Sequence, residues 1–455
     1  MMNRRTSMIW QSSLHFLHVY RKLRFLGVSL APLLLRDFQK YASLHLAAFQ
    51  RAGLTRKHAN LSNIQRACTP YFPVSRPNYA RPGYTLVKAD LYAVTEGISK
   101  EKFVYLAHHR HEYERMRKTK ACRPLLLLDQ LKPVKCSTHK VWKQFKHIVS
   151  SAKTPAPLRS QPFQRWMKIR LRKAMLRLRK MQTLFKRYAI KRTIYGSTLN
   201  RHGSLVTTYA QTRRIPTLNV QHGIFGPLGH LPVNADLNFV WGRSHAEYLQ
   251  SFGAKPANLI VNGPLFFRSC KLRHRQAAHE ASLSSADSPL RVLVALQPLG
   301  RTYNRTLIRI IEQAARSTSS HIQLQYKLHP DHGAGRPYRR YVQRRQSRLV
   351  PHGHIPLESL IDACDLVITP YSSVAFEGMI QQKPVLFYRK PPPLYYLEQS
   401  PIYFRESAAL QSWLAAALKD KSALQAIQER NKPKDALPDQ ADYKLRMWET
   451  IHAQS

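Results

Sequence analysis

The sequence predicts an α/β protein with two domains and a doubly wound parallel sheet. The chain has 455 residues, which is enough for two domains of about 100–200 residues each. Hydrophobic residues make up 44% of it, so packed cores are expected. From residue 290 onward, short apolar segments alternate with amphipathic ones, as strands and helices do in a parallel sheet.

Residues 1–150 are assigned to an N-terminal α/β domain, although their hydrophobic periodicity is weak. Strands are expected in three short apolar runs, Leu86–Val94, Phe103–Ala107 and Leu125–Leu128. Helices are expected at Ala42–Ala52 and His109–Lys120.

Residues 151–202 are predicted to contain a linker and a basic amphipathic helix. The helix is expected from Gln164 to Arg192, because apolar residues recur there at helical spacing. The apolar stripe consists of Met167, Leu171, Ala174, Leu178, Met181, Phe185 and Tyr188. Lys and Arg crowd the other faces, and two interpretations remain open. The helix covers a core with a solvated basic face, or residues 164–192 rest on an anionic membrane surface.

Residues 203–288 are predicted to complete the N-terminal domain and to cross between the domains. Strands are expected at Ser204–Thr208, Thr217–Val220, Leu237–Trp241 and Leu259–Asn262. A helix is expected at Ser244–Phe252, and the polar segment Arg268–Ser288 is interpreted as the crossing.

Residues 289–405 show the clearest alternation and are assigned to a C-terminal domain, followed by a helical tail at 406–455. The expected strands are Leu290–Leu296, Ile322–Leu328, Leu366–Thr369 and Pro384–Tyr388. The expected helices are Tyr303–Arg316, Pro337–Arg345, Pro356–Cys364 and Ser372–Gln381. Ligands of such sheets bind at the carboxyl ends of the strands, so residues just past strand ends are the first site candidates.

The charge balance favours polyanionic partners. The chain carries 73 Lys and Arg against 25 Asp and Glu, a formal net charge of +48. A field of this sign attracts nucleotides, anionic lipids, nucleic acids and phosphate-rich polymers, although a generally basic proteome would produce it too. No specific nucleic-acid partner is expected, because the basic stretches are not interleaved with aromatics as in a known module.

Cysteine usage and hydropathy favour a cytoplasmic protein. The five cysteines form no C-x-x-C pair, which indicates reduced thiols. No apolar run approaches the roughly 18–20 residues that span a bilayer. The best N-terminal candidate, Gly27–Leu35, is short and lacks a signal-peptide cleavage pattern. We expect a soluble protein, with peripheral attachment to the inner face of the plasma membrane as an option.

Several catalytic motifs are absent. The sequence has no P-loop, no G-x-G-x-x-G, no H-E-x-x-H and no G-x-S-x-G. It also has no D-x-D, the carboxylate pair with which many sugar-nucleotide transferases hold a divalent cation on the phosphates. We therefore expect no metal ion and no cofactor.

The segment from Asp365 to Glu377 is the most informative, because it reads as a buried strand, a tight turn and a helix that opens with two serines. Free N–H groups and the helix dipole favour an anion at such a helix start. Ser372 and Ser373 would add hydroxyl donors for phosphate oxygens, although one of them could simply cap the helix. Tyr371 and Glu377 flank this turn.

Two histidines also follow predicted strand ends. Tyr326-Lys327-Leu328-His329-Pro330 places His329 where it could donate to a phosphate or take a proton, with Lys327 close by. Gln221-His222-Gly223 places His222 beside a glycine that would let the backbone approach a ligand. A satisfied structural histidine is the alternative at both positions.

These elements together resemble a group of bacterial surface-polymer transferases. The order Q-H-G, K-L-H-P, V-I-T-P-Y-S-S-V-A-F-E and K-P-V-L-F-Y is similar to that of CDP-glycerol glycerophosphotransferases, polysialyltransferases and capsule polysaccharide synthesis proteins. The resemblance runs from about Gly203 to Tyr388. It implies a GT-B fold, with two Rossmann-like domains facing across a cleft and the nucleotide on residues 289–405. Residues 1–150 would then lie on the acceptor side.

The same resemblance implies roles for individual residues. His329, Ser372 and Ser373 would serve the donor phosphates with Lys327, and His222 and His329 would be catalytic. Gln221, Gly223, Tyr371 and Glu377 are further candidates for the nucleotide site. The chain departs from the glycerophosphotransferases in having Pro370 and Glu377 where these usually have Asp, and in its shortened Q-H-G.

The sequence therefore predicts a metal-independent GT-B-type glycosyl- or glycerophosphotransferase. The expected donor is a CMP- or CDP-linked sugar or CDP-glycerol, and the expected acceptor is an anionic or lipid-linked polymer of the cell surface. His222 is the first candidate for the general base, with Glu96 and His109 as weaker ones. The alternative is a polyanion- or nucleic-acid-binding protein, or a membrane-surface scaffold, without catalysis.

Overall fold

The computed structural model describes residues 4–55, 63–73, 76–119, 122, 124–226, 228–265, 288–329, 332, 335–342, 345–351, 354–391, 394–420, 422–435 and 443–454. The chain divides into two compact units. Unit 1 comprises Met1–Phe266 and Asp442–Ser455, and unit 2 comprises Phe267–Ala441. The predicted crossing at 268–288 lies almost entirely outside the described residues, so its structure is not given.

Unit 1 is built on a seven-stranded parallel sheet with an additional two-stranded hairpin. The hairpin strands are β1 (Arg24–Phe25) and β2 (Val28–Ser29). The sheet strands are β3 (Tyr84–Lys88), β4 (Phe103–Ala107), β5 (Leu125–Leu127), β6 (Ile190–Tyr195), β7 (Thr217–Val220), β8 (Leu237–Val240) and β9 (Leu259–Val261). Their order is β5-β4-β3-β6-β7-β8-β9.

The helices of unit 1 include one much longer than the rest. They are α1 (Arg4–Val19), α2 (Leu30–Leu44), α3 (Leu46–Arg51), α4 (Ile64–Cys68), α5 (Arg110–Met116), α6 (His139–Ser150), α7 (Ala156–Arg159), α8 (Gln161–Tyr188), α9 (Gly203–Gln211) and α10 (Arg243–Gln250). Short 3₁₀ helices lie at Thr69–Tyr71, Ala89–Val94, Leu128–Gln130 and Pro256–Asn258. None of the described helices is both long and apolar enough to cross a bilayer.

Unit 2 is built on a six-stranded parallel sheet. Its strands are β10 (Leu290–Ala295), β11 (Ile322–Lys327), β12 (Ser347–Val350), β13 (Leu366–Thr369), β14 (Val385–Tyr388) and β15 (Tyr403–Phe404), in the order β12-β11-β10-β13-β14-β15. Its helices are α11 (Arg301–Thr318), α12 (Leu357–Asp362), α13 (Ser373–Ile380), α14 (Ser407–Lys419) and α15 (Ser422–Arg430), with a 3₁₀ helix at Arg336–Tyr341.

Both sheets follow the same winding rule, which creates a switch point in each. In unit 2 the chain starts at the central strand β10, moves outward to β11 and β12, and then returns to β13 on the other side of β10. In unit 1 it starts at β3, moves to β4 and β5, and returns to β6. The loops of the two central strands leave in opposite directions, so a crevice opens at their carboxyl ends, where ligands of doubly wound folds bind.

Neighbouring strands of unit 2 are tied together at both ends of the switch point. At the amino end, Asp365 accepts a hydrogen bond of 2.8 Å from the Arg291 backbone N–H and pairs with the Arg291 guanidinium at 3.0 Å. At the carboxyl end, the Thr369 hydroxyl donates to the Ala295 carbonyl at 3.2 Å. These contacts fix β10 and β13 in register and hold their carboxyl ends side by side.

The long basic helix packs into unit 1 with its apolar stripe inward. Met167, Leu171, Leu178 and Met181 are completely buried. The core interpretation of the stripe is therefore correct. The helix begins at Gln161, because Ser160 caps it, and it ends at Tyr188, because Ala189 adopts a left-handed conformation with φ of 45°.

Several predicted elements are corrected by the structure. Ile190–Arg192, predicted as the end of that helix, begins strand β6. Ser204–Thr208, predicted as a strand, lies in helix α9, whose nine residues are all buried. A helix buried on every side lacks the polar face that would reveal its period. Strands β12 and β15 were not predicted, and Pro337–Arg345, predicted as a helix, contributes only the short 3₁₀ helix.

The predicted C-terminal tail is divided between the units. Helices α14 and α15 lie in unit 2, whereas α16 (Tyr443–Ala453) returns to unit 1. Met447, Trp448 and Ile451 of α16 are buried in the core of unit 1, and the Trp448 indole donates to the Val94 carbonyl at 2.7 Å. Residues 406–455 are thus not one tail, because a buried face of α16 completes the N-terminal unit.

The burial of the α8 stripe makes a prediction about stability. Leu171→Ala removes a completely buried side chain and should lower the free energy of unfolding by about 2–5 kcal/mol. Leu176 of the same helix is 44% exposed, and Leu176→Ala should change it by only about 0.5 kcal/mol. Urea unfolding of both variants measures the difference; equal losses would mean that the stripe is not in the core.

Candidate functional site

The predicted phosphate-binding residues lie at the carboxyl edge of the unit 2 sheet. His329 follows β11 and the Ser372–Ser373 turn follows β13, on either side of β10. Strands in a sheet are about 4.8 Å apart, so these two segments leave the sheet about 10 Å from each other. That separation suits a ligand the size of a nucleotide diphosphate. The structure thus brings His329 and the two serines to one edge.

Two helices begin at this edge and direct their N-termini toward it. Helix α11 starts after Gly300, whose φ of 104° is accessible mainly to glycine. Helix α13 starts after Ser372. The first N–H groups of a helix have no partner within the helix, and together with the helix dipole they favour an anion. The turn after β10 was not singled out in the sequence, because its single glycine is a weak signal.

Both serines have partners within their own helix. The Ser372 hydroxyl accepts from the Val374 backbone N–H at 3.1 Å, which makes it the N-cap of α13. The Ser373 side chain is hydrogen-bonded to the Glu377 carboxyl, one turn further on. The capping role considered for one serine therefore applies to Ser372. Direct hydroxyl contacts with phosphate remain a prediction for both.

Glu377 and Tyr371 both have raised pKa values, so they keep their protons to a higher pH than exposed groups of the same type do. The pKa of the Glu377 carboxyl is raised to about 7, chiefly by burial; the hydrogen bond to Ser373 opposes the shift and the nearby Glu358 adds to it. Burial also raises the pKa of the Tyr371 hydroxyl to about 12. Near neutral pH, Glu377 thus exchanges between a donor and an acceptor at the base of helix α13.

His329 is positioned by a network that also holds the loop after β10. The His329 backbone N–H donates to Nδ1 of His332 at 3.3 Å. Nε2 of His332 lies 3.3 Å from the amide nitrogen of the buried Asn304, which donates to the Gln297 carbonyl at 2.8 Å. Neither His332 nor Asn304 was predicted from the sequence. Their signals were a second histidine three residues after His329 and a polar residue on the apolar side of α11.

The Lys327 side chain is hydrogen-bonded to the backbone of its own unit. It is 8% exposed at the end of β11, and its ammonium donates to the Pro351 carbonyl at 3.2 Å. Burial lowers its pKa. The structure therefore shows Lys327 linking β11 to the segment after β12, whereas the sequence predicted a phosphate contact, because a strand-end lysine looks the same in both roles.

The Q-H-G residues follow strand β7 at the carboxyl edge of the unit 1 sheet. Gln221 is buried, and its amide nitrogen donates to the Gly223 carbonyl at 2.9 Å and lies 2.7 Å from Nδ1 of His245. Its amide oxygen accepts from the Trp241 backbone N–H at 2.9 Å. Gln221 thus holds this loop in place, and its contact with a nucleotide remains a prediction. A Cβ on Gly223 would meet no described atom within 4 Å, which leaves open space beside the loop.

His222 lies against the backbone of strand β6. A Cβ added to Gly196 would lie 2.9 Å from the His222 Nδ1, so only glycine allows this approach. The ring is hydrogen-bonded to the Gly196 backbone, an interaction that raises the pKa. His222 is nevertheless exposed to solvent. Desolvation by the surrounding protein, followed by the charge of Lys88, lowers its pKa below the ordinary value. A lowered pKa favours the neutral imidazole at pH 7.

A group of polar residues that the sequence did not predict lies along the same edge of unit 1. The Lys88 ammonium, at the end of β3, pairs with Asp90 and lies 3.8 Å from Glu112. Glu112 accepts from the His108 backbone N–H at 2.9 Å, and the His108 ring lies 3.1 Å from the Tyr195 hydroxyl. Each follows a strand or begins the next helix, so the parallel topology collects them.

The histidines of this group are held in the neutral form. The His108 and His202 rings stack with centroids 4.3 Å apart. Burial lowers the pKa of His202 to about 3, with Arg177 as the next cause, and burial also holds the pKa of His108 far below its usual range. His109, a weaker candidate for the base, lies 5.3 Å from His202. Glu96, the other, is exposed, and its carbonyl accepts from Lys444 of α16.

The raised pKa of Glu377 predicts a pH-dependent stability. The folded protein keeps a proton that the unfolded chain releases near pH 4.5, so stability is lost as the pH rises from about 4.5 to 7. The Glu377→Gln variant has a neutral side chain at every pH. Its free energy of unfolding should therefore exceed that of the wild type by on the order of 2–3 kcal/mol at pH 8, and by little at pH 4.5. Glu429→Gln, at an exposed position of α15, is the control. Thermal melts at both pH values decide; a gain independent of pH would contradict the assignment.

The fold is similar to that of solved nucleotide-sugar enzymes. A putative UDP-N-acetylglucosamine 2-epimerase from Listeria monocytogenes aligns with a TM-score of 0.53 and 14% identity, covering 82% of this chain and 96% of its own. S. aureus MnaA, in a co-structure with UDP, gives 0.51 and 12%, with the same coverage. The Methanocaldococcus jannaschii UDP-GlcNAc 2-epimerase, in complex with UDP-GlcNAc and UDP, gives 0.51 and 11%, covering 81% and 99%. This similarity confirms the predicted GT-B-like α/β fold.

Part of unit 2 is similar in sequence to a known protein family. No curated protein sequence matches the chain. Residues 299–405 match the family model of CDP-glycerol:poly(glycerophosphate) glycerophosphotransferase, a family of transferases. The matched stretch includes His329, the Ser372–Ser373 turn and Glu377. It confirms the resemblance that the sequence motifs indicated for this part of the chain.

Proposed function

We propose that this protein is a metal-independent transferase of cell-surface polymer synthesis. It moves a glycerophosphoryl or glycosyl group from a CMP- or CDP-linked donor to an anionic or lipid-linked polymer acceptor. The observation that carries the proposal is the match of residues 299–405 to a glycerophosphotransferase family, because this stretch supplies the whole His329 and Ser372–Ser373 edge of unit 2. The UDP bound by two of the similar solved structures supports a nucleotide as the leaving group.

The edge of unit 2 would stabilise the departing nucleotide by charge and dipole. The N-termini of α11 and α13 present N–H groups where the phosphates would lie, and His329 adds a donor at the end of β11, on the other side of β10 from α13. Negative charge grows on the leaving phosphate in the transition state, so donors already in position lower the barrier without reorganisation. Lys327 adds positive charge to this edge, and one of its N–H groups is already bonded to the Pro351 carbonyl.

In unit 1, His222 is suited to act as a general base. Nδ1 is the ring atom that faces Gly196, and donation from there to the backbone leaves Nε2 as the acceptor. Because its pKa is lowered, the imidazole is unprotonated at pH 7 and can take the proton of an acceptor hydroxyl. Asp90 partly offsets the effect of Lys88 on this pKa.

A membrane-surface role receives support from the solvent face of helix α8. Ile169 and Leu176 are 50% and 44% exposed on this face, one heptad apart, and Arg165, Lys168, Arg172 and Lys173 surround them. Apolar and basic side chains together favour the boundary of an anionic leaflet. We propose that this face, rather than the buried stripe, attaches the protein peripherally to the inner side of the plasma membrane.

Nucleotide binding separates the transferase from a scaffold without catalysis. We expect the full chain to bind CDP or CMP in calorimetry at moderate salt. His329→Ala should weaken that binding, and His321→Ala, an exposed position of unit 2, should not. Stronger binding of UDP would change the donor class. Absence of binding by all three nucleotides would favour the polyanion-binding alternative.

The proposed base makes a prediction about rate. His222→Ala should lower donor turnover by roughly 10²–10⁴-fold while leaving CDP affinity unchanged, since its role is proton transfer. CMP release from CDP-glycerol or a CMP-sugar, with acceptor polymer and with EDTA in a parallel series, measures this. His147→Ala, on the exposed side of α6, is the matched control. Full turnover by a folded His222→Ala protein would rule out this base.

The membrane proposal is tested on the exposed face alone. Changing Arg165, Lys168, Arg172 and Lys173 to Gln should release the protein from anionic liposomes at low salt, because each basic residue contributes about 1 kcal/mol near such a surface. The control changes Lys100, Lys102, Arg115 and Lys118, four exposed residues elsewhere in unit 1, to Gln. Equal co-sedimentation of both variants would show that only the overall charge matters.

A further inference from the structure

A strongly cationic pocket of about 510 Å³ lies in unit 1, on residues that the proposed transfer does not use. Four arginines line it, Arg21, Arg24, Arg76 and Arg214, together with the aromatic side chains of Tyr71 and Phe72. Among the described residues that line it, none is an aspartate or a glutamate. We propose that this pocket binds a chain of two or more linked phosphate groups.

One tight turn fixes the backbone on one side of the pocket. Arg24 belongs to the β1–β2 hairpin, where Arg24 pairs with Ser29. Its turn residues Leu26 and Gly27 have positive φ values of 51° and 79°. Two consecutive positive φ angles are the requirement of the tightest hairpin turn. The pocket wall formed by Arg24, Gly27 and Ser29 is therefore held by regular backbone pairing.

Another lining residue, Arg214, has a backbone conformation that is energetically unfavourable for arginine. Arg214 has a φ of 58°, a left-handed conformation that costs a residue with a side chain about 1–2 kcal/mol. Its carbonyl accepts from the Asn78 backbone N–H at 2.9 Å, which ties it to the chain just after Arg76. A glycine would adopt this conformation without that cost. The presence of an arginine is therefore explained if its guanidinium has a binding role.

The arginines are not neutralised by carboxylates. Among the residues that the structure describes, no Asp or Glu forms an ion pair with Arg21, Arg24, Arg76 or Arg214. Arg21 does donate to the His18 carbonyl at 2.6 Å, which fixes its direction. Four like charges around one cavity repel each other, and a bound anion would relieve that repulsion.

The size and chemistry of the pocket favour several phosphates over one. A guanidinium presents a planar fork that matches two phosphate oxygens, so four forks that each take their own pair would match twice as many oxygens as one phosphate has. The pocket volume is within the range of sites for whole small molecules. The Tyr71 hydroxyl keeps its proton, since burial raises its pKa although Arg21 lowers it, and it adds a neutral donor.

Such a phosphate chain could be free in solution or attached to a lipid, and two binding assays distinguish these sources. The first titrates the full chain with inorganic tripolyphosphate, with CMP, which has a single phosphate, as a separate ligand, at moderate salt. The second measures binding to vesicles that contain a lipid diphosphate, diacylglycerol pyrophosphate. Both use wild type, the pocket variant Arg24→Gln/Arg76→Gln/Arg214→Gln, and the control Arg51→Gln/Arg115→Gln/Arg159→Gln. The control makes the same change of charge at exposed positions of unit 1.

We expect the pocket variant to bind tripolyphosphate roughly tenfold or more weakly than the control, because charge-assisted hydrogen bonds are lost. CMP affinity should stay the same in both. Loss of vesicle binding in the pocket variant alone would identify a lipid phosphate as the source. If the pocket and control variants lose equally in both assays, or neither loses, the net charge explains the binding and the pocket proposal is wrong. Thermal melts confirm that both variants fold.

Discussion

The winding order of the two parallel sheets is the constraint on which the candidate sites depend. In each unit the chain begins at a central strand, fills one side of the sheet and then crosses back to fill the other. This order leaves a crevice at the carboxyl ends of β10 and β13, and another at those of β3 and β6. Side chains far apart in sequence, such as His329 and Ser373, meet at one edge because parallel strands all end there.

The carboxyl edges of the two sheets differ in their electrostatics. The edge of unit 2 offers helix N-termini and a carboxyl whose pKa lies near 7, so it can receive an anion with few formal charges of its own. The edge of unit 1 surrounds its histidines with burial and with Lys88 and Arg177, which lower their pKa values. Neutral imidazoles there are suited to accept protons. A leaving group that gains negative charge and an acceptor that loses a proton need these two environments.

The sequence predicted the fold of unit 2 well, because its strands are short, apolar and bounded by proline, glycine or serine. It predicted less of unit 1. Strand β6 was hidden, since Ile190–Arg192 continues the composition of helix α8 until Ala189 breaks it. Helix α9 was mistaken for a strand, because a helix buried all round has no polar face. The membership of α16 in unit 1 depends on tertiary contacts that no local pattern records.

The candidate site was predictable where a residue follows a strand, and less so where its role depends on a partner. His222, His329 and the two serines all follow strands. Gln221 is hydrogen-bonded to Trp241, and Lys327 to Pro351. Both contacts join distant segments of the chain, so no local sequence pattern predicts them. The capping role of Ser372 was foreseeable as one of two options, because a serine before a helix can bind the backbone or a ligand. Asn304 and His332 escaped notice, since their network forms only after the strands have paired.

Hydrogen exchange of the backbone amides with and without CDP tests most directly whether unit 2 holds the nucleotide at its switch point. The account predicts slower exchange in residues 300–303, at the start of α11, and in residues 371–375, at the start of α13. Both segments present the N–H groups that would contact phosphate. Protection by CDP confined to the edge of unit 1, with neither helix start affected, would contradict it.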